Sequence, residues 1–104
     1  MLPLKTIEDL IKKHTSLEKE LSSGEVDKKL FAEKSKEYSE LNDIIENAKK
    51  FISYEKDKLD LEKIIEDPKS DEDFKEMAAK EMEELTNQYY ENEKKLKIFL
   101  LPKD

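Results

Sequence analysis

The chain contains one histidine, His14, no cysteine and a single glycine, Gly24. Histidine moves protons or holds a metal near neutral pH, but either task needs partners such as a second imidazole, a carboxylate or a nucleophile to activate. His14 has no second histidine or cysteine to join it, and no serine at a recognisable catalytic spacing. It falls instead on the apolar face of a helical pattern, the place of a packed core-edge histidine. The acidic run Asp71, Glu72, Asp73 and Glu76 offers oxygen ligands for a divalent cation, yet lacks the glycine and the alternating ligands of a calcium loop. Acids at a helix start account for it fully. Glu83 and Glu84 are adjacent, point to different azimuths of a helix and read as a solvated face. Tyr89 and Tyr90 are also adjacent: Tyr89 continues an apolar stripe, which leaves Tyr90 either lying across its neighbours or free as an exposed contact residue. A phosphate-cradling loop needs more glycine than the chain has. The expected site inventory is therefore catalytic none, cofactor-binding none and metal none, with no cofactor, and the chain reads as a non-enzyme.

Positioning elements follow from composition and spacing. At 104 residues the chain is expected to form one domain with a thin core. Charged residues make up 45% and apolar residues 36%, and alanine, glutamate, lysine and leucine together exceed half of the chain. That is the composition of long helices, and periodic apolar positions separate it from a disordered chain. Too few turn residues remain for a hairpin-rich sheet protein. The net charge of −7, with no arginine, argues against direct reading of DNA or RNA. The first twenty residues lack the apolar stretch of a secretory signal, and the run Ile98 to Leu101 is far too short to span a bilayer. A cytoplasmic protein without membrane association is expected.

Three helices are expected, near residues 4–22, 27–66 and 70–100. Pro3, Thr6 and Asp9 mark the first start, Ile7, Leu10, Ile11, His14, Leu17 and Leu21 recur at intervals of three and four, and Gly24 suits a left-handed C-terminal cap. In the second segment Phe31, Tyr38, Ile45, Ile52 and Leu59 fall seven apart, with Leu41 and Ala48 in the alternate heptad position and Leu30, Ile44, Phe51 and Ile65 widening the stripe. Residues Ser53 to Lys58 offer only Tyr54 to a core and are the expected place of any bend. Pro68 ends the segment, and Ser70 is the expected cap of the third. Phe74, Met77, Ala78, Met82, Leu85, Tyr89 and Leu96 then keep a helical spacing to Pro102. The fold class is all-α, an antiparallel three-helix bundle built on a long coiled-coil-like hairpin, with Ile45, Ile52, Met82 and Leu85 buried in its seam.

Three stretches carry a resemblance to a known family. LIKKHTSLEKEL, Leu10 to Leu21, is similar to the opening helix of the bacterial peptide chain release factor 1 family. KSKEYSEL, Lys34 to Leu41, resembles a Ser-Arg-Glu-Tyr-Ala-Gln-Leu segment of the family's second helix, with Lys36 in the place of arginine. FKEMAAKEMEEL, Phe74 to Leu85, and the terminal LLPKD, Leu100 to Asp104, resemble the same family in order and spacing, and the terminal motif separates it from release factor 2.

The resemblance covers the whole chain but only the family's N-terminal helical domain, so residues 1–104 are expected to be that single domain of a longer factor. The codon-reading Pro-x-Thr and the Gly-Gly-Gln that triggers peptidyl-tRNA hydrolysis are absent from it. The function implied is translation termination at stop codons, with this domain contributing ribosome contact. The implied partner is the stalk-base region of the large ribosomal subunit, protein and rRNA, in the context of the full factor. No catalytic residue transfers. A cluster of lysines, Lys94, Lys95, Lys97 and Lys103, is a candidate for local contacts as well as a plain helix-end cation group. The pattern alone also fits a free-standing helical-hairpin scaffold or chaperone-like adaptor, and it leaves the oligomeric state open.

Overall fold

The computed structural model describes residues 2–102, and every regular element in it is an α-helix. Four helices follow in order: α1 (Leu4–Ser23), α2 (Lys28–Asn42), α3 (Ile45–Glu66) and α4 (Glu72–Phe99). The all-α class stands, but the expected three-helix bundle does not describe this chain, because the long second helix is broken in two.

The break lies at Asp43–Ile44. Asparagine and aspartate compete with the backbone for their own hydrogen bonds and weaken a helix interior. Here the Ile44 amide donates to the Leu41 carbonyl at 3.0 Å, a three-residue reach that tightens the last turn of α2. Ile44 then sits at φ −120° and ψ −9°, off the helical values, and its carbonyl accepts from Ala48 to restart the ladder. The gain is packing: Ile44 and Ile45 are both only 6% exposed. Neighbours on an unbroken helix point 100° apart, so one narrow stripe cannot take both. The bend expected at Ser53 to Lys58 does not occur. That stretch is continuous helix within α3, anchored by Tyr54, which is buried.

The ends follow local chemistry. Gly24 caps α1 with φ 72°, a left-handed conformation natural to glycine. Thr6 lies inside α1, whose entry is set by Pro3 without a side-chain cap. Asp67 is extended (ψ 116°), as the residue before Pro68 must be, and α3 ends at Glu66. Asp71, not Ser70, caps α4: its carboxylate accepts from the Phe74 amide at 2.9 Å.

Two antiparallel hairpins, α1/α2 and α3/α4, share one core. Ile7 of α1, Ile44 at the break, Ala48 and Phe51 of α3 and Leu96 of α4 form its centre, with Leu2, Leu10, Ile11, Tyr89, Phe99 and Leu100 packed around them. The terminal apolar run is thus divided, with Phe99 and Leu100 half-buried against the core and Ile98 and Leu101 more than 60% exposed, while Leu96 just before it is fully buried. Lys103 and Asp104 lie outside the described residues. The heptad prediction was rotated. Its outer members Phe31 and Leu59 are half exposed, and the seam runs through Leu41, Ile44, Ala48 and Phe51. Of the four expected seam residues Ile45 is buried, whereas Ile52, Met82 and Leu85 are half-buried.

The far half of α3/α4 extends beyond the core, and the molecule measures 61 × 32 × 19 Å. Its radius of gyration is 18.4 Å, against the roughly 13 Å of a compact chain this long. A thin, elongated domain exposes a large surface for its mass.

Candidate functional site

His14 is buried at the α1/α2 contact, stacked on the Tyr38 ring at 4.9 Å. Its Nε2 lies 2.6 Å from Asn42 Oδ1, and because an amide oxygen can only accept, Nε2 carries the proton. The imidazole therefore ties the middle of α1 to the residue where α2 ends. This is the packed core-edge histidine that the spacing predicted. Two exposed ion pairs, Lys13–Glu37 and Lys34–Glu20, flank it along the same pair of helices.

The acidic run 71–76 is spread by the helix start. Asp71 is the cap, Glu72 and Asp73 occupy the first turn, and Asp73 and Glu76 flank Met77 at the surface. Among the described residues no three His, Cys, Asp or Glu side chains converge as a metal site would require. Glu83 and Glu84 are both exposed, but only Glu84 faces the cleft described below.

The tyrosine pair separates as the stripe predicted. Tyr89 stacks on Phe51 at 4.9 Å and on Tyr54 at 4.1 Å, while Tyr90 is 62% exposed and meets Tyr89 edge-on at 5.5 Å. Burial, then the nearby Glu93 and Glu55 carboxylates, push the Tyr89 hydroxyl above its ordinary value. Next to this stack the Asn47 amide donates to Asn92 Oδ1 at 3.0 Å, a polar pair in an otherwise apolar seam.

The lysine cluster is less uniformly basic than its sequence. Lys97 bonds Glu93 at 3.3 Å, Lys95 shares a cleft with Asp43, Ile98 and Phe99, and Lys103 lies outside the described residues.

An open groove runs between α3 and α4 in the half of the hairpin that leaves the core. Leu61 and Leu85 floor it, and Asp57, Asp60, Glu81 and Glu84 rim it without a lysine among them. Among the described residues no ion pair or side-chain hydrogen bond engages these four carboxylates.

Against this geometry, comparison with known proteins is decisive. The model of the PCRF domain family matches residues 10–104. The chain belongs to the PCRF domain family. Peptide chain release factor 1 of Pelagibacter ubique (strain HTCC1062) is 67% identical over 104 residues, covering 100% of this chain and 29% of that protein. The proteins of the same name from a Wolbachia pipientis strain and from Agathobacter rectalis are each 40% identical over 100 residues, covering 94% of the chain and 28% of their own length. The chain thus spans less than a third of these relatives. No solved structure gives a significant match. The similarity read from Leu10–Leu21, Lys34–Leu41 and Phe74–Leu85 is borne out.

Sequence reasoning about this PCRF domain missed the groove and the Asn47–Asn92 pair. The groove's signal was present: Phe74, Met77, Glu81, Glu84 and Gln88 recur at three and four, a second row on α4 beside the core row. It was obscured because acids at helical spacing read as a solvated face. No helix among the described residues is long and apolar enough to cross a membrane.

Proposed function

We propose that this PCRF domain works inside a class I peptide chain release factor, in translation termination at stop codons, and that its share is contact with the ribosome. The observation that carries the reading is the 67% identity to a release factor 1 along all 104 residues, without a gap in coverage at any helix. On this reading residues 1–104 form the N-terminal helical domain of a longer cytoplasmic factor. Codon reading and the hydrolysis of peptidyl-tRNA belong to other domains of that factor, and no residue of this chain is catalytic. The shape supports such a division of labour, since a 61 Å rod with a thin core is suited to reach a distant surface. The partner is the stalk-base region of the large subunit. Net charge −7 directs the contact toward its protein rather than toward exposed rRNA phosphates.

The test compares a full-length release factor carrying this domain with the same factor lacking it. Codon discrimination and peptide release at saturating factor are expected to survive deletion, while association and dissociation rates on stop-codon complexes change. Unchanged rates at every salt concentration would overturn the contact role and favour the free-standing scaffold reading.

A further inference from the structure

We infer that the groove between α3 and α4 docks a basic amphipathic helix of a partner protein. The inference rests on the proposed role as the contact-making part of a larger factor, and it names the surface and the chemistry.

Three observations converge on one face. The floor is apolar, from the half-buried Leu61 and Leu85. Further along α4, at the spacing of the groove's Glu81, Glu84 and Gln88, stand Met77 and Phe74, which are 60% and 49% exposed, Met77 beside Asp73, Glu76 and Lys80. Exposed apolar side chains that extend a groove are a docking feature, since nothing in the fold uses them. The rim is anionic: Asp57, Asp60, Glu81 and Glu84 face the opening, and none forms an ion pair among the described residues. What sets the four apart is their convergence on one groove, whereas the acids with a lysine partner, Glu20, Glu37 and Glu93, lie outside it.

These features select the occupant. Four uncompensated carboxylates repel a phosphate backbone, which excludes RNA. They steer and hold cationic side chains, while the apolar strip needs leucine- or isoleucine-like residues. A channel between two antiparallel helices accepts a third helix that presents apolar anchors at i, i+3, i+4 and i+7. From Phe74 to Gln88 the strip is about 21 Å long at 1.5 Å per residue, the length of a helix of some four turns.

The probe is a synthetic helical peptide of about 16 residues, with leucines on one face and lysines on both flanks. It is titrated into the isotope-labelled 104-residue chain and followed by NMR. Shifts are expected at Leu61, Phe74, Met77 and Leu85. Asp60→Lys with Glu84→Lys should weaken binding about tenfold or more, and Met77→Ser should weaken it with unchanged helix content by circular dichroism. Reversing two acids elsewhere, Glu8→Lys and Glu33→Lys, should change affinity less than threefold. A peptide with glutamate in place of lysine, and an RNA hairpin, should leave the groove resonances still. Shifts scattered over the whole acidic surface, equal losses for both pairs of reversals, or RNA shifting the groove would overturn the proposal. The assay contains no ribosome, so its failure is separable from failure of the domain-deletion experiment.

Discussion

His14 shows how one polar side chain can organise a helix junction. Its ring is apolar enough to stack on Tyr38, and its Nε2 proton satisfies Asn42 where the α2 ladder runs out. A neutral side chain-to-side chain bond of this kind contributes about 1 kcal/mol, and the lost packing adds to that when the ring is removed. Asn42→Ala should therefore cost about 1 kcal/mol and His14→Ala about 2 kcal/mol. The double variant should cost less than their sum by about 0.5–1 kcal/mol, the coupling of groups in contact. Strict additivity in urea unfolding would show that the bond contributes nothing. Tyr89 gives a second residue-scale expectation, with a defined sign. Burial and the neighbouring carboxylates hold its hydroxyl proton more tightly in the folded chain than in the unfolded one. The resulting stability is complete below about pH 10 and is lost as pH climbs through the raised folded value, because only the unfolded tyrosine ionises readily there. Tyr89→Phe should lose less stability than the parent as pH rises above about 10, measured by thermal melts. An identical decline in both would refute the assignment.

At the scale of elements, the terminal stretch LKIFLL gives two opposite outcomes within six positions. Leu96 is fully buried against Ile7 and Phe51, whereas Leu101 is 63% exposed. Leu96→Ala should cost about 3 kcal/mol, and Leu101→Ala should stay within about 0.5 kcal/mol. Ile45→Asp, which places a charge in the seam beside the α2/α3 break, should cost several kcal/mol. Equal effects at positions 96 and 101 in chemical denaturation would contradict the division of the run between core and surface. Helix existence and three of the boundaries were readable from spacing, Gly24 and Pro68, since these act locally. The break at Asp43 was not, because a heptad pattern that continues from Tyr38 to Ile45 conceals it. What decides there is tertiary packing: Ile44 joins Ile7 of α1 and Leu96 of α4 in the core, and Ile45 is buried as well. Tertiary contact also fixed the rotation that exposes Phe31 and Leu59. The polar pair Asn47–Asn92 was invisible for the same reason: two asparagines 45 residues apart meet only when α3 and α4 are in register. The empty catalytic inventory is an expectation from missing residue types, while the groove required knowing which faces of two helices adjoin.

At the scale of the whole molecule, shape and charge together set how the domain can act. An elongated rod with unneutralised acids along its far half gains little from any single contact. Inside a longer factor the remaining domains would hold it near its target, and that effective concentration replaces intrinsic affinity. The isolated 104-residue chain is therefore expected to bind stop-codon ribosome complexes weakly, on the order of a hundredfold or more below the full factor. It is also expected to release no peptide at any stop codon, since on the proposed reading the codon-reading and hydrolytic groups reside in other domains. Added in excess, it should compete poorly with the full factor, and raising salt should weaken that competition only moderately, because protein contacts of mixed apolar and ionic character carry the interaction instead of the neutralisation of many phosphates. A competition titration at several salt concentrations, read by the rate of peptide release, measures all three. Tight binding by the isolated chain that collapses steeply with salt would assign the contact to rRNA through the lysines near the end of α4. Stop-codon-dependent release by the chain alone would overturn the proposed function as a whole.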